Sequence, residues 1–166
     1  MIPKQVVFGI VRSLHDLFTA LWIGGLLTTA ISFMPVFKKV KKEIPGLVKF
    51  LADYQKRLAT IALISVVGLW ITGLLLSKQS PSYSGFMDFS TTTNRILSIK
   101  HILILYMIAI ALYRRFVLGR KLKNFNESQQ KTYGILLMVN SVLALIVLFL
   151  SGIAASLSQA ALLAIR

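Results

Sequence analysis

Four apolar stretches, at residues 6–37, 58–77, 96–113 and 133–165, run through a chain of only 166 residues. Crossing a bilayer as helix takes roughly 20 such residues. Inside hydrocarbon each backbone amide must be satisfied within its own segment, so runs of this kind become transmembrane helices. With 56% hydrophobic residues, 14% charged residues and a mean hydropathy of +0.75, the rest of the chain is too short and too apolar to supply a separate soluble module. The expectation is an all-α protein, one four-helix bundle over residues 1–166, multi-pass in a cell membrane.

The formal net charge of +14 raises the question of nucleic acid, and the placement of the charges answers it. Lys38, Lys39, Lys41, Lys42, Lys49, Lys56 and Arg57 fall between the first two spans. Arg114, Arg115, Arg120, Lys121, Lys123 and Lys131 fall between the last two, so that thirteen of nineteen basic residues gather on one side. The positive-inside rule then makes those two loops cytoplasmic and both termini outside. The partner such loops imply is the anionic lipid of the inner leaflet, with no nucleic acid. Oligomers of the chain or a larger membrane complex are also open to a bundle of this kind.

Local signals organise the chain further. The first run follows Lys4 but is long, carries Arg12 and Asp16 and ends in lysines, which reads as an uncleaved first span, not a signal peptide. Pro35 fits a helix stop. Pro45 and Gly46 open an amphipathic segment, residues 46–57, that lies at the cytoplasmic interface or extends the second helix below the membrane. Gly24, Gly25, Gly68, Gly73, Gly152, Ala154 and Ala155 read as close-packing positions, because contact and not hydrophobicity drives helix association in lipid. Residues 79–94, rich in Ser, Thr, Pro and Gly, form the outer connection, a plain connector or a lid over an outward cavity.

Two histidines stand inside the apolar runs, His15 in the first and His101 in the third. A histidine in hydrocarbon usually faces the bundle interior and binds or relays something there. Counted at about 1.5 Å per residue, His15 lies roughly 14 Å and His101 roughly 8 Å below the outer edge, so both belong to the outer half. His15, Trp22 and Leu26 share one stripe, the expected inward face. Arg12 and Asp16, four apart, are placed to pair along the helix and flank His15. Lys100 and His101 are neighbours about 100° apart, so one of them at most aims squarely at a common site.

The donor inventory narrows the ligand. With no cysteine, disulfides, iron–sulfur clusters and thiolate sites are excluded. Zinc would need three or four ligands, which His15, His101 and Asp16 would only just supply. Copper(I) favours sulfur, and the five methionines are scattered. Haem needs one or two axial ligands, an apolar slot and a basic residue for its propionates, so the inventory leans to haem b over a bare ion. A proton relay or hydrogen-bonded packing histidines account for the same residues without a cofactor.

The stretch LHDLFTALWIGGLL, residues 14–27, resembles the opening helix of CopD-like membrane proteins, named for copper resistance protein D. RLATIALISVVGLWITGLLLS and FSTTTNRILSIKHILILYMIAIALYRR are similar to that family's next two helices, carrying the resemblance over roughly residues 14–116. A helix-one histidine with a helix-three lysine also resembles the HemJ-type protoporphyrinogen oxidases, four-helix proteins in which those two residues are implicated in haem b binding. That resemblance implies His15 and Lys100 as axial ligands, with His101 as an alternative to Lys100. The chain departs from the oxidases after Gly25, where LTTAISFMP stands. Three functions stand as expectations. The first is a haem-b protein passing electrons near the outer face, with Arg12 or Arg95 at the propionates. The second is a CopD-like protein that handles or transports copper through His15, His101 and Lys100. The third is a non-catalytic subunit of a larger complex.

Overall fold

The structure, a computed structural model, describes residues 3–40, 44, 46–78, 85, 87–118 and 127–163. Four long helices account for nearly all of them: α1 (Lys4–Val40), α2 (Leu47–Ser77), α3 (Thr92–Leu118) and α4 (Glu127–Leu163). Each contains a window long and apolar enough to span a membrane. Their outer faces are apolar, as a bundle bathed in lipid requires, with Ile31, Met138 and Phe149 among the most exposed side chains.

All four helices begin or end beyond the apolar runs. The segment at residues 46–57 is continuous with the second span inside α2, which settles the choice between an interfacial helix and an extension in favour of extension. Gly46 starts that helix at φ 81°, a left-handed conformation that glycine adopts without strain. Pro35 does not stop α1, which continues to Val40. A proline in a helix removes one N–H and crowds the carbonyl a turn back. Here the turn just before it, Thr29–Phe33, is a wide π-helical one, which loosens the ladder where Pro35 leaves it incomplete. A second wide turn, Ala20–Gly24, interrupts the same helix. Arg114–Leu118 forms a third at the end of α3, so Arg114 and Arg115 are helical and not loop residues. Lys41, Lys42, Glu43, Pro45, Arg120, Lys121, Lys123, Arg166 and residues 79–84 and 164–165 lie outside the described residues.

The helices pair as two antiparallel hairpins, α1 with α2 and α3 with α4, joined where the lower part of α1 meets α4. The shared core holds Trp22, Ile23, Leu26, Met107, Leu137, Ala144 and Val147. Glycine contacts explain the first hairpin. A Cβ on Gly68 would run into the Phe18 ring, one on Gly25 would come 2.9 Å from Leu58, and one on Gly73 would touch the His15 ring at 3.7 Å. The expected packing role does not extend to Gly24 and Gly152, whose faces meet nothing within 4 Å, nor to exposed Ala155; in α4 the packed small residue is Ala154. Their small size serves no helix contact in this bundle.

Candidate functional site

At the end of the bundle where α2 runs into α3, polar side chains of three helices come together: His15 of α1, Thr72 of α2 and Lys100 of α3. His15 of α1 turns its Nδ1 onto Thr72 Oγ1 of α2 at 2.9 Å. Thr72 is buried and in turn donates to the Gly68 carbonyl at 2.7 Å, the usual back-bond of a threonine in a membrane helix. A hydroxyl has one proton. A Thr72 that donates to Gly68 accepts from His15, an arrangement that assigns an imidazole proton to Nδ1. The His15 Nε2 lone pair is then left for another partner. Gly73 of α2 lies beside the ring, where a Cβ would stand 3.7 Å from it, in ordinary contact.

From α3, Lys100 comes close enough to interact electrostatically with both His15 and His101. All three side chains are half-buried. His101 lies against the Leu97 carbonyl one turn back. His15 turns to α2, the helix that Trp22 also packs beside, and Trp22 and Leu26 are buried, so the stripe of His15, Trp22 and Leu26 is the inward face of α1.

The other expected participants stand apart. Arg12 and Asp16 are exposed, and among the described residues no ion pair joins them. No group of three His, Asp or Glu side chains converges among the described residues, so the zinc set of His15, His101 and Asp16 is not assembled. Arg95 is exposed and donates its Nε–H to the Phe89 carbonyl at 2.7 Å. That contact belongs to an anchor the sequence did not suggest. Asp88 receives Ser90 N at 2.8 Å, Ser90 Oγ at 2.7 Å and Asn94 Nδ2 at 2.5 Å, and its carbonyl takes Ser98 Oγ at 2.8 Å. Thr91 caps α3 by accepting from Asn94 N. Buried Asn94 and Ser98, polar residues at the start of an apolar span, are the signal that this loop end is pinned to α3 two turns before Lys100.

Over residues 53–157 the chain matches the family described as Copper resistance protein D, CopD. The chain belongs to the CopD family. The matched region holds α2 from Asp53, all of α3 and most of α4, with Thr72, Lys100 and His101. It extends further into α4 than the motif resemblance did and leaves out the helix of His15, whose place in the site rests on its contact with Thr72. No curated protein and no solved structure matches the chain. As a CopD member with four membrane-spanning helices, it is a multi-pass membrane protein.

Proposed function

We propose that this CopD protein handles copper as cargo at the cluster of His15, His101 and Lys100. The observation that carries the reading is the hydrogen-bond chain Gly68–Thr72–His15, which fixes the tautomer and holds the Nε2 lone pair of His15 ready for a metal. Two imidazoles and an amine form an all-nitrogen set, and imidazole suits copper where cysteine is absent. His15 is the anchored ligand, and the second comes from α3, either Lys100 once its proton is displaced or His101 beside it. By the positive-inside count the cluster opens to the outside, so copper arriving from there meets these nitrogens first.

Family membership favours this cargo over haem b. One feature of the layout agrees: Arg95, expected at the propionates, is engaged with the Phe89 carbonyl. Competitive copper titration of the detergent-purified protein tests the proposal. Wild type is expected to bind one copper at the cluster and His15→Ala to lose it. Equal copper affinity in the two would reject the reading, and a Soret band in place of copper binding would restore haem.

A further inference from the structure

The two helical hairpins leave an open, shallow groove between α2 and α3, with an enclosed volume of only about 40 Å³. Its walls are almost wholly apolar, with Trp22 from α1, Ala59, Ala62 and Val66 from α2, and Ile108 from α3. The single charge that reaches it is Arg115. The α2 and α3 helices are antiparallel here, so Ala59 and Arg115 stand at the basic end while Val66 and Ile108 lie about 10 Å toward the middle of the bundle. The groove therefore runs from the basic surface inward along the direction of a lipid tail.

Arg115 gives the groove its chemistry. Its Nη1 is buried without a hydrogen-bond partner among the described residues, and no carboxylate there pairs with it. The guanidinium carbon lies 5.7 Å from the Phe116 ring centroid, a weak contact for a cation in this setting. Arg114 next to it is different: it donates to Tyr133 Oη at 2.8 Å and lies 4.4 Å from that ring's centroid, so it is committed to the protein. A half-buried guanidinium with an unused, buried donor at the edge of the hydrocarbon calls for an anion. Lys56 and Arg57, exposed and just ahead of Ala59 on α2, add positive charge at the same mouth.

We propose that this groove is a selective site for one anionic glycerophospholipid, its acyl chain along Ala62 and Val66 and its phosphate on Arg115. Arg and phosphate pair in a fork geometry that lysine does not reproduce. This differs from the diffuse attraction of a basic loop to an acidic leaflet, because it predicts retention of a bound molecule through purification. It is also independent of the copper reading.

The test uses the full chain in nanodiscs with equal amounts of phosphatidylglycerol and phosphatidylcholine, released into the mass spectrometer to count bound lipids. The expected result is severalfold preferential retention of phosphatidylglycerol and a higher melting temperature in it. Arg115→Gln and Ala62→Phe are each expected to lose that preference, while Lys39→Gln, an exposed lysine away from the groove, keeps it. Equal retention of the two lipids by wild type overturns the proposal without any variant. So does selectivity that survives in a folded Arg115→Gln or Ala62→Phe protein, or a lipid-independent dimer broken by Ala62→Phe, which would put a second copy in the groove.

Discussion

The two ends of this bundle differ in how far their buried polar groups are met within the protein, although Arg115 Nη1 at the basic end also keeps an unused donor. At the end of α2 and α3, the Thr72 hydroxyl is used twice and the result is a histidine with a lone pair to spare, facing a lysine. At the other end the polar groups largely close on one another: Arg114 on Tyr133, and Thr29, fully buried, on the Tyr54 hydroxyl at 3.1 Å and on the Gly25 carbonyl at 2.7 Å. Tyr54 also stacks on Phe33 with centroids 4.6 Å apart, which locks α1 to the extension of α2. The difference separates structure from function in a membrane interior. A buried polar group whose valences are met within the protein holds helices together, whereas one left with a directed, unused valence is placed to take a ligand.

That contrast can be broken by substitution. The largest effect is expected from His15→Ala, which should weaken copper binding by more than about 100-fold, beyond the range seen when only supporting residues are lost; copper titration reads it. Removing the support alone, in Thr72→Val, should cost about 10–100-fold while Thr72→Ser restores binding, because only the hydroxyl orients the imidazole. Copper affinity should also fall about tenfold per pH unit for each proton that copper must displace from His15, His101 or Lys100. The sign is fixed by chemistry: ligand nitrogens bind metal in their deprotonated form, so acid weakens binding and base strengthens it. An affinity flat from pH 6 to pH 8 would argue that the nitrogens are not the ligands.

Changes away from the lone pair should act on stability and leave the chemistry of the ligands alone. Gly68→Leu forces a side chain into the Phe18 ring. Overpacking of this kind costs about 1–3 kcal/mol, visible as a lower melting temperature. Thr91→Ala, which removes the cap of α3, should cost about 1 kcal/mol by the same assay. If Thr91→Ala instead abolished copper binding with little loss of stability, the connection before α3 would be part of the site and not only its anchor.

Much of this is legible in the residue pattern because hydropathy measures the membrane directly: the four spans and the shared half of His15 and His101 come from where apolar runs begin and end. Rotation about each helix is less legible. The stripe of His15, Trp22 and Leu26 does mark the inward face, but the wide turn Ala20–Gly24 and the neighbour that each side chain meets are not written in it. The same limit hides Thr72, which looks like one more tolerated hydroxyl until α1 is docked against Gly68 and Gly73. Pro35 fails as a stop for a related reason, since a wide turn absorbs the proline that would end a regular helix. Charge alone assigns Arg114 to a loop, yet Tyr133 from α4 supplies both a hydroxyl and a ring face to bury it. Pairing of that kind depends on helix register, which composition does not contain.

The central claim is that His15 presents a nitrogen to copper in a site without sulfur. X-ray absorption at the copper edge of the copper-loaded protein tests it most directly, compared with His15→Ala loaded in the same way. The account predicts nitrogen ligands with the outer-shell scattering of imidazole, reduced or lost in His15→Ala. Sulfur scattering from methionine, or a spectrum unchanged by His15→Ala, would contradict it.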